Sequence, residues 1–215
     1  MSQPRWAVVV PVKRLSAAKS RLRGALPGVP HEELALALAA DTLRAVLACP
    51  AVAEALVVTD DPRVTAMARA AGARVLPDGP GAGLNAAFRH GAAGRVAGWV
   101  AGLTADLPAL RPAELAGALL TAQNGRAEVP RFVPDAPGDG TVLLTAPPGV
   151  PLDPHFGVNS AVAHTASGAL PLTGDWPSLR RDVDTAADLT TAARLGLGPR
   201  TAALVAADRP ARSAG

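Results

Sequence analysis

Short apolar runs alternate with longer amphipathic stretches along the first part of the chain. Runs of this length between polar turns predict buried strands at residues 6–12, 55–59, 73–76 and 99–104. The intervening stretches have apolar residues near helical spacing, which predicts helices at residues 32–47, 62–71, 85–96 and 112–122. This alternation of strands and helices indicates a parallel sheet with helical crossovers.

The pattern changes after Gln123, where proline and glycine cluster between residues 130 and 154. Strands are expected here at residues 141–145 and 179–183. Helices are expected at residues 160–167 and 185–195, the second with Thr185 and Asp188 in capping-box spacing. We therefore expect an α/β fold with a mostly parallel central sheet, helices on both faces, and a mixed C-terminal extension that forms an acceptor pocket.

Length and composition indicate one folded domain without a membrane span. The 215 residues are 49% hydrophobic and 18% charged, which is enough to build a core and too little charge for disorder. No apolar window approaches the roughly 18 residues of a membrane helix, and no secretory signal is recognisable. The single cysteine, Cys49, is expected to be a small buried hydrophobe, and a reducing cytoplasm fits its use.

The net charge of +3 does not predict nucleic-acid binding, because the arginines are scattered and tyrosine is absent. Among 21 basic residues, however, Lys13 and Lys19 are the only lysines, and both lie in the loop after the first predicted strand. With Arg14 and Arg21 they form a cluster at the carboxyl end of a strand, where open parallel sheets bind ligands. Such a cluster suits a triphosphate, and a solvated basic loop is the alternative.

Two acidic segments are candidates for metal binding. Asp106 follows the strand predicted at 99–104, and Pro108 favours extended geometry in the residue before it, so the carboxylate is expected at the rim of the sheet. A turn or capping aspartate is the alternative. In a strand, Asp182 and Asp184 would share one face and offer hard oxygen ligands for Mg²⁺. Asp184 could instead cap the following helix, so Asp182 is the better candidate.

Weaker signals lie in three turns. Gly83 could admit a nucleotide and Asn85 could bond its ribose or base, although Asn85 could equally be an ordinary N-cap. Thr141 follows a turn, and Gly157 and Ser160 lead into a helix in the manner of an anion site. The four histidines lack the spacing of metal ligands, so surface or structural roles are expected for them. They are His31, His90, His155 and His164.

Seven motifs occur in the order and spacing of a known family: VPVKRLSAAKSRL, VVTDD, GLNAA, LTADLPAL, DGTVLL, FGVNSA and LRRDVDT. Over residues 6–206 the chain resembles the guanylyltransferases of coenzyme F420 biosynthesis, which act on phosphoenolpyruvate or 2-phospho-L-lactate. The resemblance implies a Rossmann-like nucleotidyltransferase fold that uses GTP and Mg²⁺. It also implies a nucleotide-binding part at about 6–122, an acceptor-binding part at about 123–206 and a frayed tail at 207–215.

The resemblance assigns roles residue by residue. It implies that Asp106 and Asp182 bind Mg²⁺ and form the catalytic set with Lys13 and Lys19. The phosphorylated three-carbon acceptor would be held by Thr141, Gly157 and Ser160. The GTP phosphates would be cradled by Lys13, Lys19 and Arg21, with Gly83 and Asn85 nearer the nucleoside.

The expected reaction transfers GMP from GTP to the phosphate of phosphoenolpyruvate. A phosphate monoester carries nearly two charges at neutral pH, so the acceptor needs no catalytic base. The alternatives are 2-phospho-L-lactate or 3-phosphoglycerate as acceptor, a sugar or molybdopterin nucleotidyltransferase, and a noncatalytic nucleotide-binding protein. Hand-over of the product to the next enzyme of F420 biosynthesis is the expected partnership, with no nucleic acid and no membrane.

Overall fold

The computed structural model describes residues 5–17, 20–79, 81–95, 98–124 and 128–208. Within this part, one sheet contains the strands β1 (Trp6–Pro11), β2 (Val52–Val58), β3 (Arg74–Leu76), β4 (Trp99–Leu103), β5 (Arg131–Pro134), β6 (Thr141–Ala146) and β7 (Leu170–Pro171). The helices are α1 (His31–Leu47), α2 (Pro62–Ala70), α3 (Leu84–Ala92), α4 (Pro112–Gln123), α5 (Ser160–Ala166), α6 (Ala186–Leu195) and α7 (Pro199–Asp208). The strand order is β3-β2-β1-β4-β6-β5-β7.

The first part of the chain forms the predicted parallel layer. Strand β1 pairs in parallel with β2 and β4, and β2 pairs in parallel with β3. Strand β2 begins at Val52 rather than at residue 55, and α3 ends at Ala92 rather than at residue 96. The carboxyl ends of β1, β2 and β4 consequently meet at one rim of the sheet, where their loops can share a ligand.

The second part extends this sheet with mixed strand directions, as expected. Strand β6 runs antiparallel to β4 and β5, and β7 pairs in parallel with β5. The backbone N–H of Thr104 donates to the carbonyl of Val142 at 3.0 Å, so the start of β6 lies at the end of β4. Thr141, the first residue of β6, is thereby placed at the same rim as the loops that follow the parallel strands.

The strand predicted at 179–183 is wrong. Leu179 and Val183 are buried, which accounts for the apolar pattern, but the segment consists of turns and irregular backbone. Two of its N–H groups bond outside the sheet, since Leu179 donates to the Glu114 carboxylate at 3.4 Å and Val183 donates to the carbonyl of Asp106 at 3.0 Å. Asp182 and Asp184 therefore do not share the face of a strand.

Two apolar layers cover the two faces of the sheet. Val8 faces a cluster that includes Leu43 of α1 and Leu115 of α4, whereas Val9 faces a cluster that includes Phe88 of α3. The expected burial of Cys49 is confirmed at 2% exposure, and this burial raises the pKa of its thiol. No helix in the described ranges is long and apolar enough to cross a membrane.

Helix α7 has no counterpart in the prediction. Its N-terminus is fixed by Asp41 of α1, a carboxylate only 2% exposed that accepts from the N–H groups of Arg200 at 3.2 Å and Thr201 at 2.7 Å. Because this capping carboxylate is remote in sequence, the start of the helix has no local signal. The tail expected to fray lies mostly at 209–215, outside the described residues.

Candidate active site

A cavity of about 350 Å³ opens at the carboxyl ends of β1 and β4. Its charged lining comes from Lys13, Arg21, Asp106 and Asp184. Apart from these charged residues the wall is largely apolar, and it includes Leu15 and Leu38. The cavity thus brings two cations of the loop after β1 together with the carboxylate that follows β4.

A second cavity, of about 320 Å³, adjoins the first and shares Lys13 and Leu84 with it. Gly83 lies at its edge with φ of 91°, a conformation that favours glycine, and Asp78 is another lining residue. The Oδ1 atom of Asp78 is buried and has no hydrogen-bond partner in the part of the chain that the structure describes. The exposed residue Lys13 therefore borders both cavities, and the second cavity also has a carboxylate oxygen that can accept a hydrogen bond.

The loop after β1 is held by Asp61, which is only 8% exposed. Asp61 Oδ2 accepts from the N–H of Leu15 at 3.0 Å, and its Oδ1 accepts from Arg63 at 2.9 Å and Val64 at 3.2 Å. Burial alone would raise the pKa of Asp61, but these backbone donors and the charge of Arg63 outweigh burial and lower it. Asp61 is thus the N-cap of α2, and the same ionised carboxylate also fixes the loop beside Lys13.

Of the predicted phosphate-binding cations, Arg21 lies at the first cavity, whereas the position of Lys19 is not described. Arg21 is exposed and lines the first cavity with Lys13. Lys19, which the resemblance makes catalytic and phosphate-binding, lies outside the described residues.

The two acidic segments meet at the first cavity, which Asp106 and Asp184 both line. The bond from the Val183 N–H to the Asp106 carbonyl joins the loop after β4 to the segment before α6. Asp184 lines the cavity. Asp182, two residues earlier in the chain, is half-buried and is not among the lining residues. The alternative that Asp184 caps α6 is wrong, because Thr185 is the N-cap and forms the predicted capping box with Asp188.

Metal binding would have to rely on few protein ligands. No group of three or more His, Cys, Asp or Glu side chains suited to a metal occurs within the described ranges. Mg²⁺ is commonly bound by one or two carboxylates together with substrate phosphates and water, so Asp106 and a second carboxylate fit its donor chemistry.

Asn85 joins the two parts of the domain. Its Nδ2 donates to the carbonyl of Phe156 at 3.0 Å, and its Oδ1 accepts from the Phe156 N–H at 2.8 Å. The N-cap of α3 is Gly83, so the interpretation of Asn85 as an ordinary N-cap is wrong. The side-chain amide instead fixes the loop that contains Gly157 against the start of α3.

The three residues expected to hold an acceptor lie around α5. Thr141 and Ser160 are buried, while Gly157 is exposed with φ of 145°, which only glycine adopts readily. His164 Nδ1 lies 3.0 Å from Thr141 Oγ1, and His164 Nε2 accepts from the N–H of His155 at 2.9 Å. This histidine links the start of β6 to the loop before α5.

Sequence reasoning gave His164 only a surface or structural role, yet its side chain is completely buried at the centre of this group. Burial is the main cause that lowers the pKa of His164 to about 4, and the neighbouring His155 lowers it further. A hydrogen bond with the Ser160 backbone and the charge of Asp153 act in the opposite direction. The one local signal was its spacing of four residues from Ser160, which places both on one face of a helix.

The family model described as "Guanylyl transferase CofC like" matches residues 6–164. The chain belongs to this family. It is 71% identical over 205 residues to a phosphoenolpyruvate guanylyltransferase of Salinispora arenicola, and the match covers 95% of each chain. The resemblance found from the seven motifs is thereby confirmed.

Solved structures with low sequence identity share the fold. A protein of Desulfovibrio desulfuricans described as a nucleotide-diphospho-sugar transferase matches with a TM-score of 0.69 at 17% identity over 94% of each chain. Glucosyl-3-phosphoglycerate synthase of Mycobacterium tuberculosis, in complex with Mn²⁺, uridine diphosphate and phosphoglyceric acid, matches with a TM-score of 0.51 at 14% identity, over 91% of this chain and 80% of that one. The predicted nucleotidyltransferase-like α/β fold is confirmed for this CofC-like guanylyl transferase.

Proposed function

We propose that the protein transfers GMP from GTP to the phosphate of phosphoenolpyruvate, giving enolpyruvyl-diphospho-guanosine and pyrophosphate. The observation that supports this best is the first cavity at the carboxyl rim of the sheet, whose lining combines the cations Lys13 and Arg21 with the carboxylates Asp106 and Asp184. Cations and carboxylates that line one cavity suit a substrate that is a polyanion with a bound metal. The product would pass to the next enzyme of coenzyme F420 biosynthesis.

The cations make the approach of two anions feasible. Lys13 and Arg21 would hold the GTP phosphates, with Lys19 added on the strength of the family resemblance. The acceptor phosphate is already a nucleophile, so the site needs alignment and charge neutralisation rather than a base. The loop between Lys13 and Leu15 would help to align the substrates, since its backbone is held by a hydrogen bond to the buried Asp61.

The carboxylates would hold the metal. We assign Mg²⁺ binding to Asp106 and Asp182, and Asp184, which lines the cavity, would be a further ligand. Bound Mg²⁺ would neutralise phosphate charge and orient the substrates for in-line displacement. Asp106 would be held in position by the bond between its carbonyl and the N–H of Val183.

The second cavity would bind the nucleoside. Gly83 leaves room at the start of α3, and the buried Oδ1 of Asp78 is a hydrogen-bond acceptor. Guanine has an N1–H and an amino group that donate to such a carboxylate, whereas adenine presents an unprotonated nitrogen at the corresponding position. This difference favours GTP over ATP.

The acceptor would lie where the second part of the chain meets the rim. Thr141 and Ser160 offer hydroxyl groups, and Gly157 allows the backbone to approach an anionic group closely. Phosphoenolpyruvate, 2-phospho-L-lactate and 3-phosphoglycerate all combine a phosphate with a carboxylate. The choice of phosphoenolpyruvate rests on the Salinispora arenicola relative, a phosphoenolpyruvate guanylyltransferase that is 71% identical to this chain.

Pyrophosphate release by purified protein with Mg²⁺ tests this function. GTP with phosphoenolpyruvate is expected to react faster than GTP with either other acceptor, and ATP is expected to react poorly. Asp106→Asn and Asp182→Asn should each reduce kcat by about 100-fold or more, because a metal-binding charge is lost. The matched control is Asp175→Asn, which changes an exposed carboxylate away from both cavities.

Two outcomes would contradict the proposal. Folded wild-type protein that releases no pyrophosphate with any acceptor would overturn the transfer reaction. Near wild-type rates for Asp106→Asn or Asp182→Asn would overturn the metal assignment while leaving the reaction in place.

A further inference from the structure

A buried imidazole beside the acceptor residues has no role in the proposed chemistry. The His164 side chain is completely inaccessible, and its ring packs at 5.2 Å between centroids against the edge of Phe156. Phe132 contacts it from another side with centroids 5.7 Å apart. The two aromatic rings restrict rotation of the imidazole, so its two nitrogens keep fixed partners.

The hydrogen-bond partners determine the tautomer. A backbone N–H can only donate, so the bond from the His155 N–H requires an unprotonated Nε2 on His164. The neutral ring then has its proton on Nδ1, 3.0 Å from Thr141 Oγ1. His164 is therefore the donor in this contact and Thr141 is the acceptor, with the Ser160 backbone as a further contact of the protonated ring nitrogen.

Because Thr141 accepts in this hydrogen bond, its own hydroxyl proton is left available for another acceptor. The Thr141 hydroxyl has no other hydrogen-bond partner among the described side chains and backbone, so its proton can be donated elsewhere. Thr141 begins β6 at the rim, where Val142 is bonded to Thr104 of the loop that leads to Asp106. A hydroxyl that is prevented from donating to its neighbour is a prepared donor for an anion at this rim.

We propose that His164 is a positioning residue that orients the Thr141 hydroxyl as a hydrogen-bond donor to an anionic group of the acceptor substrate. The proposal rests on the proposed function, since it concerns how that reaction holds its acceptor. The same imidazole fixes the His155 backbone, and Asn85 fixes the adjoining Phe156. His164 thus connects the hydroxyl donor with the loop that contains Gly157.

Two substitutions separate positioning of Thr141 from general support of the loop. In His164→Asn the side-chain amide can occupy the place of Nδ1 and donate to Thr141. In His164→Gln the amide oxygen can reach the place of Nε2 and accept from His155, but the donor to Thr141 is lost. We expect His164→Gln to raise the KM of the acceptor about tenfold with the KM of GTP within twofold, and His164→Asn to stay within about threefold of wild type.

A second pair of variants tests the hydroxyl directly. Thr141→Val should raise the acceptor KM about as much as His164→Gln, and Thr141→Ser should restore it, because only serine keeps a hydroxyl at this position. The double variant of Thr141→Val with His164→Gln should be no worse than Thr141→Val alone. Additive losses, or equal rises in the KM of GTP and the acceptor, would overturn the proposal.

The tautomer can be measured in the wild-type protein without any substitution. Histidine ¹⁵N shifts should show that Nδ1 of His164 is protonated and that Nε2 is not at pH 7. The opposite tautomer would overturn the inference even if every buried variant failed to fold. Wild-type protein that transfers nothing would instead overturn the proposed function and with it the acceptor role, while the tautomer would still report the hydrogen bond to Thr141.

Discussion

Asp61 and His164 occupy comparable positions on opposite sides of the site. Each is buried, each bonds the backbone of a loop at the rim, and each has a lowered pKa. The consequences are opposite, because a lowered pKa keeps a carboxylate ionised and keeps an imidazole neutral. The nucleotide side is therefore organised around a fixed negative charge, and the acceptor side around a neutral group with one donor and one acceptor.

The difference follows from what surrounds the two groups. Backbone N–H groups of Leu15, Arg63 and Val64 converge on Asp61 and stabilise its charge despite burial. His164 is packed against aromatic rings, and its partners satisfy both nitrogens of the neutral form. Convergent backbone dipoles can hold a charge at a rigid loop, whereas an apolar pocket fixes the tautomer of a neutral ring.

Removal of the Asp61 carboxylate should have the largest effect on stability. Asp61→Ala deprives the cap of α2 and the Leu15 N–H of their acceptor, which should lower the free energy of unfolding by roughly 4 kcal/mol. Urea denaturation measures this loss. The released loop beside Lys13 should also raise the KM of GTP more than that of the acceptor.

Asp61→Asn supplies the control for this effect, because the amide retains one acceptor oxygen and should lose less stability. An unfolding free energy within about 0.5 kcal/mol of wild type for Asp61→Ala would contradict the anchoring role. Equal rises in both KM values would show that the loop is not specific to the nucleotide side.

Acidification should weaken the acceptor side before the nucleotide side. The pKa of His164 falls from 6.5 in the unfolded chain to about 4 in the folded protein, so the unfolded state takes up a proton first. Stability from neutral His164 is complete above pH 6.5 and decreases as the pH falls towards 4, by about 3 kcal/mol in total. His155 and Asp153 face the same ring with opposing effects. The stabilisation from Asp61 is lost only below its ordinary pKa of 3.8.

The unfolding free energy measured between pH 7 and pH 4 checks this order. His164→Asn, which cannot be protonated in this range, should remove most of the slope between pH 6.5 and 4. A slope unchanged by His164→Asn would assign the acid sensitivity to other groups and remove this distinction between the two sides.

The sequence predicted the side organised by Asp61 far better than the side organised by His164. Asp61 and Pro62 are adjacent, so the cap of α2 could be inferred from local spacing, whereas the bond between Asp61 and Leu15 joins residues 46 apart and could not. The contact of His164 with Thr141 joins residues 23 apart, and the sequence does not distinguish a buried histidine from an exposed one. The strand predicted at 179–183 failed for the same reason, because the N–H groups of Leu179 and Val183 bond to Glu114 and Asp106, which are distant in sequence.

The smallest expected effect comes from the exposed ion pair beside Asp61. Arg63 Nη2 lies 2.6 Å from Glu33 Oε1, but the two side chains are 46% and 44% exposed. Water and salt screen such a pair, so Glu33→Ala should change the unfolding free energy by about 0.5 kcal/mol or less and leave the KM of GTP unchanged. Both carboxylates accept hydrogen bonds from Arg63. Asp61 accepts from the backbone N–H of Arg63, and Glu33 accepts from the Arg63 guanidinium group. A loss comparable with that of Asp61→Ala would mean that side-chain charge rather than converging backbone dipoles holds this side of the site, and the contrast with His164 would no longer stand.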